Sequence, residues 1–374
     1  VGNAPGALAG YTVGVTADRR SDEQITLLER RGARVLHGPT IRTLPLHEDD
    51  EWFAATRQLI ARPPELVVLT TAIGVRSWLA AAESRGVGDA LLAALGAGAV
   101  LTRGPKATGA AVTIGLDVSW TSGRARSSEI LDHVVATAAP GSRIAIQLDG
   151  GTNGYVADEL AAAGFDVVPI RIYGWTLPDD VAPAARLIAA VGDGALDAVT
   201  FTAGPALRNF LALAEREGRI DAVRDAFAAN AVDLVLIGPA CADAAAAAGL
   251  DGAVVPATAR LGAMVQAYVA AVADRSCRLQ LAGITVELQG RLVSIDGHGQ
   301  VHLSDRERDV LEALARRPGA VVSKATLVRE VWSNQGDEHI AEVTVARLRQ
   351  RLGHAGAGIE TVVRRGYRLC AEAS

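Results

Sequence analysis

The chain is short of aromatic residues, cysteine, lysine and long apolar runs, and each shortage excludes something. Aromatics make up 4% of 374 residues, so the core must be built from alanine, valine, leucine and isoleucine rather than from rings. The three cysteines, Cys241, Cys277 and Cys370, are odd in number and far apart, with no CxxC pair and no histidine at ligand spacing. Neither a disulfide framework nor a metal site is expected, and no cofactor. Nowhere do the ~18 apolar residues needed to cross a membrane run uninterrupted, and the first residues show no basic stretch ahead of an apolar core. The expectation is a soluble, cytoplasmic protein with no membrane partner. Lysine occurs only at Lys106 and Lys324, the remaining 35 of 37 basic residues being arginine, a bias read as coding composition rather than function.

What is present is an ordinary globular mixture, 49% apolar and 21% charged, in a chain of 374 residues. That length suits two or three domains at ~100–200 residues each. Charge is divided unevenly: residues 275–374 carry a net +3 and the preceding residues a net −8. A basic module attached to an acidic partner domain is the electrostatic pattern of a nucleic-acid-binding protein.

The front of the chain repeats itself. ELVVLTTAIGVRSWLAAAESRG (65–86) aligns without gaps on DAVTFTAGPALRNFLALAEREG (197–218). TVGVTADRRSDEQITLLERRGARV (12–35) pairs with RIAIQLDGGTNGYVADELAAAGFDV (143–167), and RGPKATGAAVTIGLDV (103–118) with IGPACADAAAAAGLDGAVV (237–255). Three matches in one order imply a tandem duplication. Each unit alternates short apolar strands with amphipathic helices, which predicts two α/β lobes with parallel sheets covered on both faces. The expected division is residues 1–273 for this domain, with lobe one at about 10–45 and 171–273 and lobe two at about 46–170.

Open parallel sheets collect ligands at the carboxyl ends of their strands. Here those ends carry Arg19 and Arg20, then Thr70 and Thr71, then Lys106 and Thr108. Further along come Gly150, Gly151 and Thr152, then Thr202, then Gly238 and Cys241. All lie in small, hydroxyl-bearing or glycine-rich loops that lead into helices, whose free N–H groups suit carboxylates or phosphates. A tight strand-to-helix turn taken singly asks for the same residue types. Six such loops together make the inter-lobe cleft the expected site for an anionic small molecule.

After a predicted linker at 274–282 the pattern changes. ITVELQ, LVSIDG and QVHLS predict a small antiparallel sheet, and Ser304 with Glu307 a capping box opening a helix that Pro318 and Gly319 end. Ser323 caps a second helix. In the third, about 338–352, Ala341, Val345, Leu348 and Leu352 succeed one another at steps of 4, 3 and 4 and fall on one stripe. The opposite face shows His339, Val343, Ala346, Arg347 and Gln350, flanked by Thr344, Arg349 and Arg351. Small and apolar residues ringed by arginine suit a major groove, with Arg347 placed for guanine and Val343 for a thymine methyl. IETVVRRGYRLCA (359–371) reads as two strands around a turn with Arg364 and Arg365 at its tip.

The stretches LSDRERDVLEALARRPGAVVSKATLVREVW, VTVARLRQRL and TVVRRGYRL resemble the winged helix-turn-helix effector domain of OmpR/PhoB-type response regulators. That resemblance implies an α+β DNA-binding domain at 283–374 and double-stranded promoter DNA as partner. It places His339, Thr344 and Arg347 at recognition-helix contacts and Thr361 and Tyr367 at wing contacts. The paired acids of HEDDEW (47–52) follow no predicted strand, so the family's usual receiver domain is not expected there. Residues 11–272 resemble the uroporphyrinogen-III synthase family, through GARVLHGPTIRTLP, LTTAIGVRSWL, RIYGWT, FTAGPALRNFL and LIGPACADAAAAAGL. That family closes a linear tetrapyrrole without a cofactor, and the resemblance makes Tyr173 the catalytic acid. Departures stand beside it: Cys241 replaces a threonine, Ala203 a serine, Ile73 an asparagine, and Asp149 a common arginine. The combination is similar to actinobacterial regulators, among them the nitrate/nitrite assimilation regulator. It implies control of nitrogen genes, alone, as a homodimer or with another transcription regulator. Three readings stay open: a regulator whose front domain senses a tetrapyrrole or other anion, one whose front domain is a ligand-free interaction scaffold, and an active synthase with a DNA-binding appendage.

Overall fold

The computed structural model describes residues 6–45, 50–148, 150, 154–332 and 334–372. In lobe one four strands form a wholly parallel sheet in the order Asp233–Leu236, Ala198–Phe201, Thr12–Val15, Arg34–His37. The first three are apolar runs buried at every position, as a sheet covered on both faces requires. One face packs on Leu187, Leu207, Phe210 and Phe227, the other on Leu28, Met264, Val265 and Tyr268.

Lobe two has five parallel strands in the order Val118–Thr121, Ala99–Thr102, Leu66–Leu69, Arg143–Gln147, Asp166–Ile170. Trp52, Leu59 and Trp78 fill the core on one face, Ile130, Val134 and Leu160 that on the other. The sequence repeat maps strand for strand between the lobes: 66–69 onto 198–201, 99–102 onto 233–236, 143–147 onto 12–15, 166–170 onto 34–37. Even the fifth strand has a trace in lobe one, a parallel bridge between Val235 and Val254. Two chain crossings, Arg42–Pro45 and Tyr173–Thr176, pair antiparallel as the ribbon joining the lobes.

The C-terminal domain opens earlier than its sequence suggested. Cys277–Leu281, expected as linker, is a strand that pairs with Ile284–Gln289 and with Ala371–Glu372. Leu279 and Leu281 alternate inward, 6% and 0% exposed, with Arg278 outward, so the segment carries the period of two that marks a half-buried strand. Leu292–Ile295 and Gly299–His302 complete the antiparallel sheet. The helices Asp305–Ala315, Lys324–Trp332 and Glu338–Leu352 enclose a core of Val310, Leu314, Leu327, Trp332, Val345 and Leu348. Ser304 and Glu307 form a full capping box. A second sheet of Val321–Val322, Gly366–Leu369 and Ile359–Val362 carries the terminal hairpin. No helix among the described residues is long and apolar enough to cross a membrane.

Candidate DNA interface and inter-lobe cleft

The helix Glu338–Leu352 is started by Asp337, whose carboxylate accepts the His339 N–H at 3.1 Å. Ala341, Val345 and Leu348 are fully buried and Leu352 is 1% exposed, so the predicted stripe is the packed face. His339, Ala346, Arg347 and Gln350 are exposed opposite it, with Val343 half-buried among them. Arg347, Arg364 and Arg365 have no ion-pair partner among the described residues. Arg364 sits in the left-handed region at φ 62°, at the turn of the hairpin beside Val363, which is 78% exposed.

Other predicted contacts are placed differently. Thr344 is only 9% exposed and its hydroxyl donates to the Ile340 carbonyl at 2.8 Å. It lies three residues past Ala341, close to the packed stripe, and its hydroxyl serves the helix backbone. Arg351 reaches back to Glu307, 3.0 Å from its carboxylate, and to the His302 carbonyl. Burial would raise the Glu307 carboxyl, but hydrogen bonds from Ser304 and Arg351 outweigh it and hold the group below its usual range. Tyr367 is 5% exposed and lies under the Arg349 guanidinium. Thr361 is exposed and accepts from Arg349 at 2.9 Å. Arg349, a flanking arginine in the sequence, thus ties the hairpin to the helix through Ile359, Thr361 and Tyr367. Its partners lie 10 or more residues away, which helical phase alone does not show.

The cleft is built from both lobes. Gly104 and Gly238 occupy equivalent helix starts, and a Cβ at either would meet Ala125 or Ala259 at 3.0 or 2.8 Å. Lys106 and Thr108 follow Gly104; the Thr108 hydroxyl joins those of Thr102 and Thr121 at 2.7 and 3.1 Å. Burial first, and Arg20 in addition, pull the Lys106 ammonium down, with Cys241 acting the other way. Lys106 of lobe two is thus within electrostatic range of Cys241 and Arg20 of lobe one. Burial pushes the Cys241 thiol up to about 12, against the opposing effects of its bond to Ile237 and of Lys106 and Arg208. An ion pair between Arg126 and Asp243 at 2.8 Å spans the lobes. Arg19 and Arg20 are exposed, Arg20 paired with Glu23 at 2.6 Å. Thr202 is half-buried.

Thr70 is 4% exposed and donates to the Gln147 carbonyl at 2.7 Å. Thr71 caps the helix Ala72–Ser84 by accepting from Gly74. Its hydroxyl also lies 3.0 Å from that of Tyr173, which is 2% exposed. Gly150, at φ 87°, packs so close to the Tyr173 ring that a Cβ would come within 2.9 Å. The tyrosine expected as a catalytic acid is thus closed off from solvent and hydrogen-bonded in lobe two. Asp149, Gly151 and Thr152 lie outside the described residues.

Two lobes of parallel α/β structure joined by a crossing ribbon, followed by a three-helix domain with a two-stranded hairpin, define a two-lobed domain fused to a winged helix. The Uroporphyrinogen-III synthase HemD family matches residues 22–266, and the chain belongs to it. The family described as transcriptional regulatory protein, C terminal, matches residues 298–369. The C-terminal domain is an OmpR/PhoB-type DNA-binding winged helix. Over 71% of this chain the fold is similar to that of a mutant uroporphyrinogen III synthase of Thermus thermophilus, at 28% identity, covering 99% of that chain with a TM-score of 0.59. YjjA of Bacillus subtilis (strain 168), an uncharacterized protein, is 26% identical over 264 residues, 69% of this chain and 94% of its own length. The transcriptional regulatory protein CutR of Streptomyces coelicolor is 40% identical over 93 residues, 24% of this chain and 42% of CutR.

Proposed function

We propose that the protein is a sequence-specific transcription regulator whose synthase-like domain senses an anionic small molecule of the tetrapyrrole class. The observation that carries the reading is the exposed face of Glu338–Leu352. Arg347, Gln350 and His339 stand out from it with Val343 between them, while the arginines around them are already committed to the domain. Arg347 reads a base edge in the major groove, and Arg364 and Arg365 meet phosphate beside it. Lys106, Arg20 and Thr108 supply the cation and hydroxyl chemistry for a carboxylate-rich ligand in the cleft.

The resemblance to nitrogen regulators extends the proposal to nitrate and nitrite assimilation genes, with the protein acting in the cytoplasm, as a homodimer or beside another regulator. Selection of bound fragments from genomic DNA tests it: enrichment of one motif upstream of such genes is expected, and sequence-independent retention would overturn it. For the cleft, uroporphyrin is expected to raise the melting temperature through mass action. Incubation with hydroxymethylbilane separates sensor from enzyme. With Tyr173 shut in and its hydroxyl on Thr71, only the symmetrical product of spontaneous closure is expected. Formation of the asymmetrical isomer above the spontaneous rate would establish the synthase reading instead.

A further inference from the structure

Asp197 and Asp233 begin the runs of two neighbouring strands in lobe one, at the ends opposite the cleft. Asp197 is 8% exposed and accepts the Thr12 N–H at 2.6 Å. It also takes two guanidinium groups from the winged helix: Arg308 at 2.8 Å, and Arg291. The side chains of Asp197, Arg291 and Arg308 are 9%, 11% and 15% exposed, so the charges meet away from water. Asp233, 6% exposed, is held in two bonds by Arg275 at 2.7 and 2.9 Å, where the chain leaves lobe one. Around this core the Arg291 N–H donates to the Gly10 carbonyl at 2.8 Å, and Gln289 to those of Gly6 and Ala9.

The duplication provides an internal control. The position equivalent to Asp197 in lobe two is Glu65, which accepts the Arg143 N–H as Asp197 accepts that of Thr12. The position equivalent to Asp233 is Ala99. The sheet itself thus needs one acid, for one backbone N–H. Lobe one has a second acid, and three arginines of residues 275–308 converge on the pair.

We propose that Asp197 and Asp233 form an interdomain lock that fixes the winged helix to lobe one, so that the two move as a single body. Connected domains move relative to one another by default unless the interface is large and hydrophobic, so a polar junction has to fix its geometry by specific pairing. A buried ion pair adds little net stability but fixes geometry, because every misplaced arrangement leaves a charge unpaired in a dry site. Desolvation works against the Arg308 charge, yet Asp309 and Asp197 outweigh it and hold the guanidinium charged. The joint is short: helix Leu261–Val272 runs into Ala273–Arg275 and then directly into the strand Cys277–Leu281. In the locked arrangement His339, Arg347 and Gln350 remain exposed, so the DNA-binding face is presented and not hidden.

The proposal stands whether or not the cleft takes a ligand. Its test is backbone amide relaxation measured by NMR on the full-length chain. In the wild type, amides of the winged helix and of lobe one are expected to share one rotational correlation time. In Arg308→Gln, and more so in Arg291→Gln with Arg308→Gln, those of the winged helix should shift to a shorter value while lobe one keeps its own. These variants leave the bond from Thr12 to Asp197 in place; Asp197→Asn tests the same lock from the other side, with amide spectra to verify folding. Two separate correlation times in the wild type would overturn the lock, and so would a folded double variant that still tumbles as one body.

Discussion

Arg347 and Arg351 lie one turn apart on one helix, and the geometry assigns them opposite kinds of work. Arg347 is exposed, and in the proposed major-groove placement Arg347→Ala is expected to remove a base contact of ~1–3 kcal/mol, roughly 5- to 150-fold in affinity. A surface change of that kind moves stability by no more than ~0.5 kcal/mol. Arg351 is 51% exposed, but its partner Glu307 is 4% exposed and lies 2.9 Å away. Hydrogen bonds to charged groups contribute ~1.5–3 kcal/mol when sheltered and exposed ion pairs ~0–1 kcal/mol. A pair sheltered on one side falls between, so Arg351→Ala is expected to weaken the winged helix by about 1–2 kcal/mol. Hydrogen exchange read by mass spectrometry on peptides from Asp305–Ala315 and Glu338–Leu352 reports this as exchange roughly 5- to 30-fold faster. A mobility shift with the selected operator, repeated across salt concentrations, reports binding. Arg347→Ala should lose affinity at unchanged exchange, and Arg351→Ala should gain exchange with the smaller loss of affinity. Equal losses of affinity, with exchange at the wild-type rate in both, would refute the division.

Three further outcomes rest on the same geometry. Cys241, with its thiol raised to about 12, should resist a disulfide reagent at pH 8, where its thiolate fraction is on the order of one in ten thousand, and react fully only after denaturation; rapid native reaction at this residue would contradict its burial. Tyr173→Phe should lower stability by ~0.5–1.5 kcal/mol through the lost bond to Thr71, read by urea unfolding, and leave uroporphyrin affinity unchanged, because the hydroxyl does not face the cleft solvent. Because the Glu307 carboxyl is held below its unfolded value, its contribution is complete above the unfolded pKa of about 4.3 and is lost as pH falls through the folded one; the stability of the winged helix to urea should therefore fall in acid, and Glu307→Gln should flatten that dependence.

Much of the architecture was legible because its signals are local. Strands such as LVVL and AVTF are continuous apolar runs, and the capping box of Ser304 and Glu307 spans three residues. The packed stripe of the recognition helix was legible for the same reason. The direction of its flanking side chains was not. Thr344 stands beside that stripe and bonds to the preceding turn, and Arg351 is drawn off by a carboxylate 44 residues away. Helical phase gives the direction in which a side chain leaves the axis, but a long arginine ends where its partner is. The strand Cys277–Leu281 was missed although its alternation is local and its hairpin partner Ile284–Gln289 follows after two residues, because five residues at the joint between two domains read equally well as connection. Tyr173 shows the same limit, since its place in a family motif says nothing of the hydroxyl and ring packed against it.

Comparing the two halves of the duplication shows where lobe one has been put to use. At the cleft end of its strands it is the poorer copy: Ala203 stands where lobe two has Thr71, and its helix Gly204–Arg216 has no side-chain cap. Ala240 and Ala242 likewise stand where lobe two has Lys106 and Thr108. Hydroxyl and ammonium chemistry at the cleft is therefore concentrated in lobe two. At the opposite ends of the same strands lobe one is the richer copy, with Asp197 and Asp233 against Glu65 and Ala99, and it is there that the winged helix docks. A strand such as Ala198–Phe201 is only four residues long, ~13 Å, so one short, fully buried element separates the cleft end from the docking end. Duplication frees one copy of a site to lose its original contacts while the sheet beneath remains folded. In this chain the copy poorer in polar cleft residues carries the attachment to the winged helix, and the copy that kept them does not.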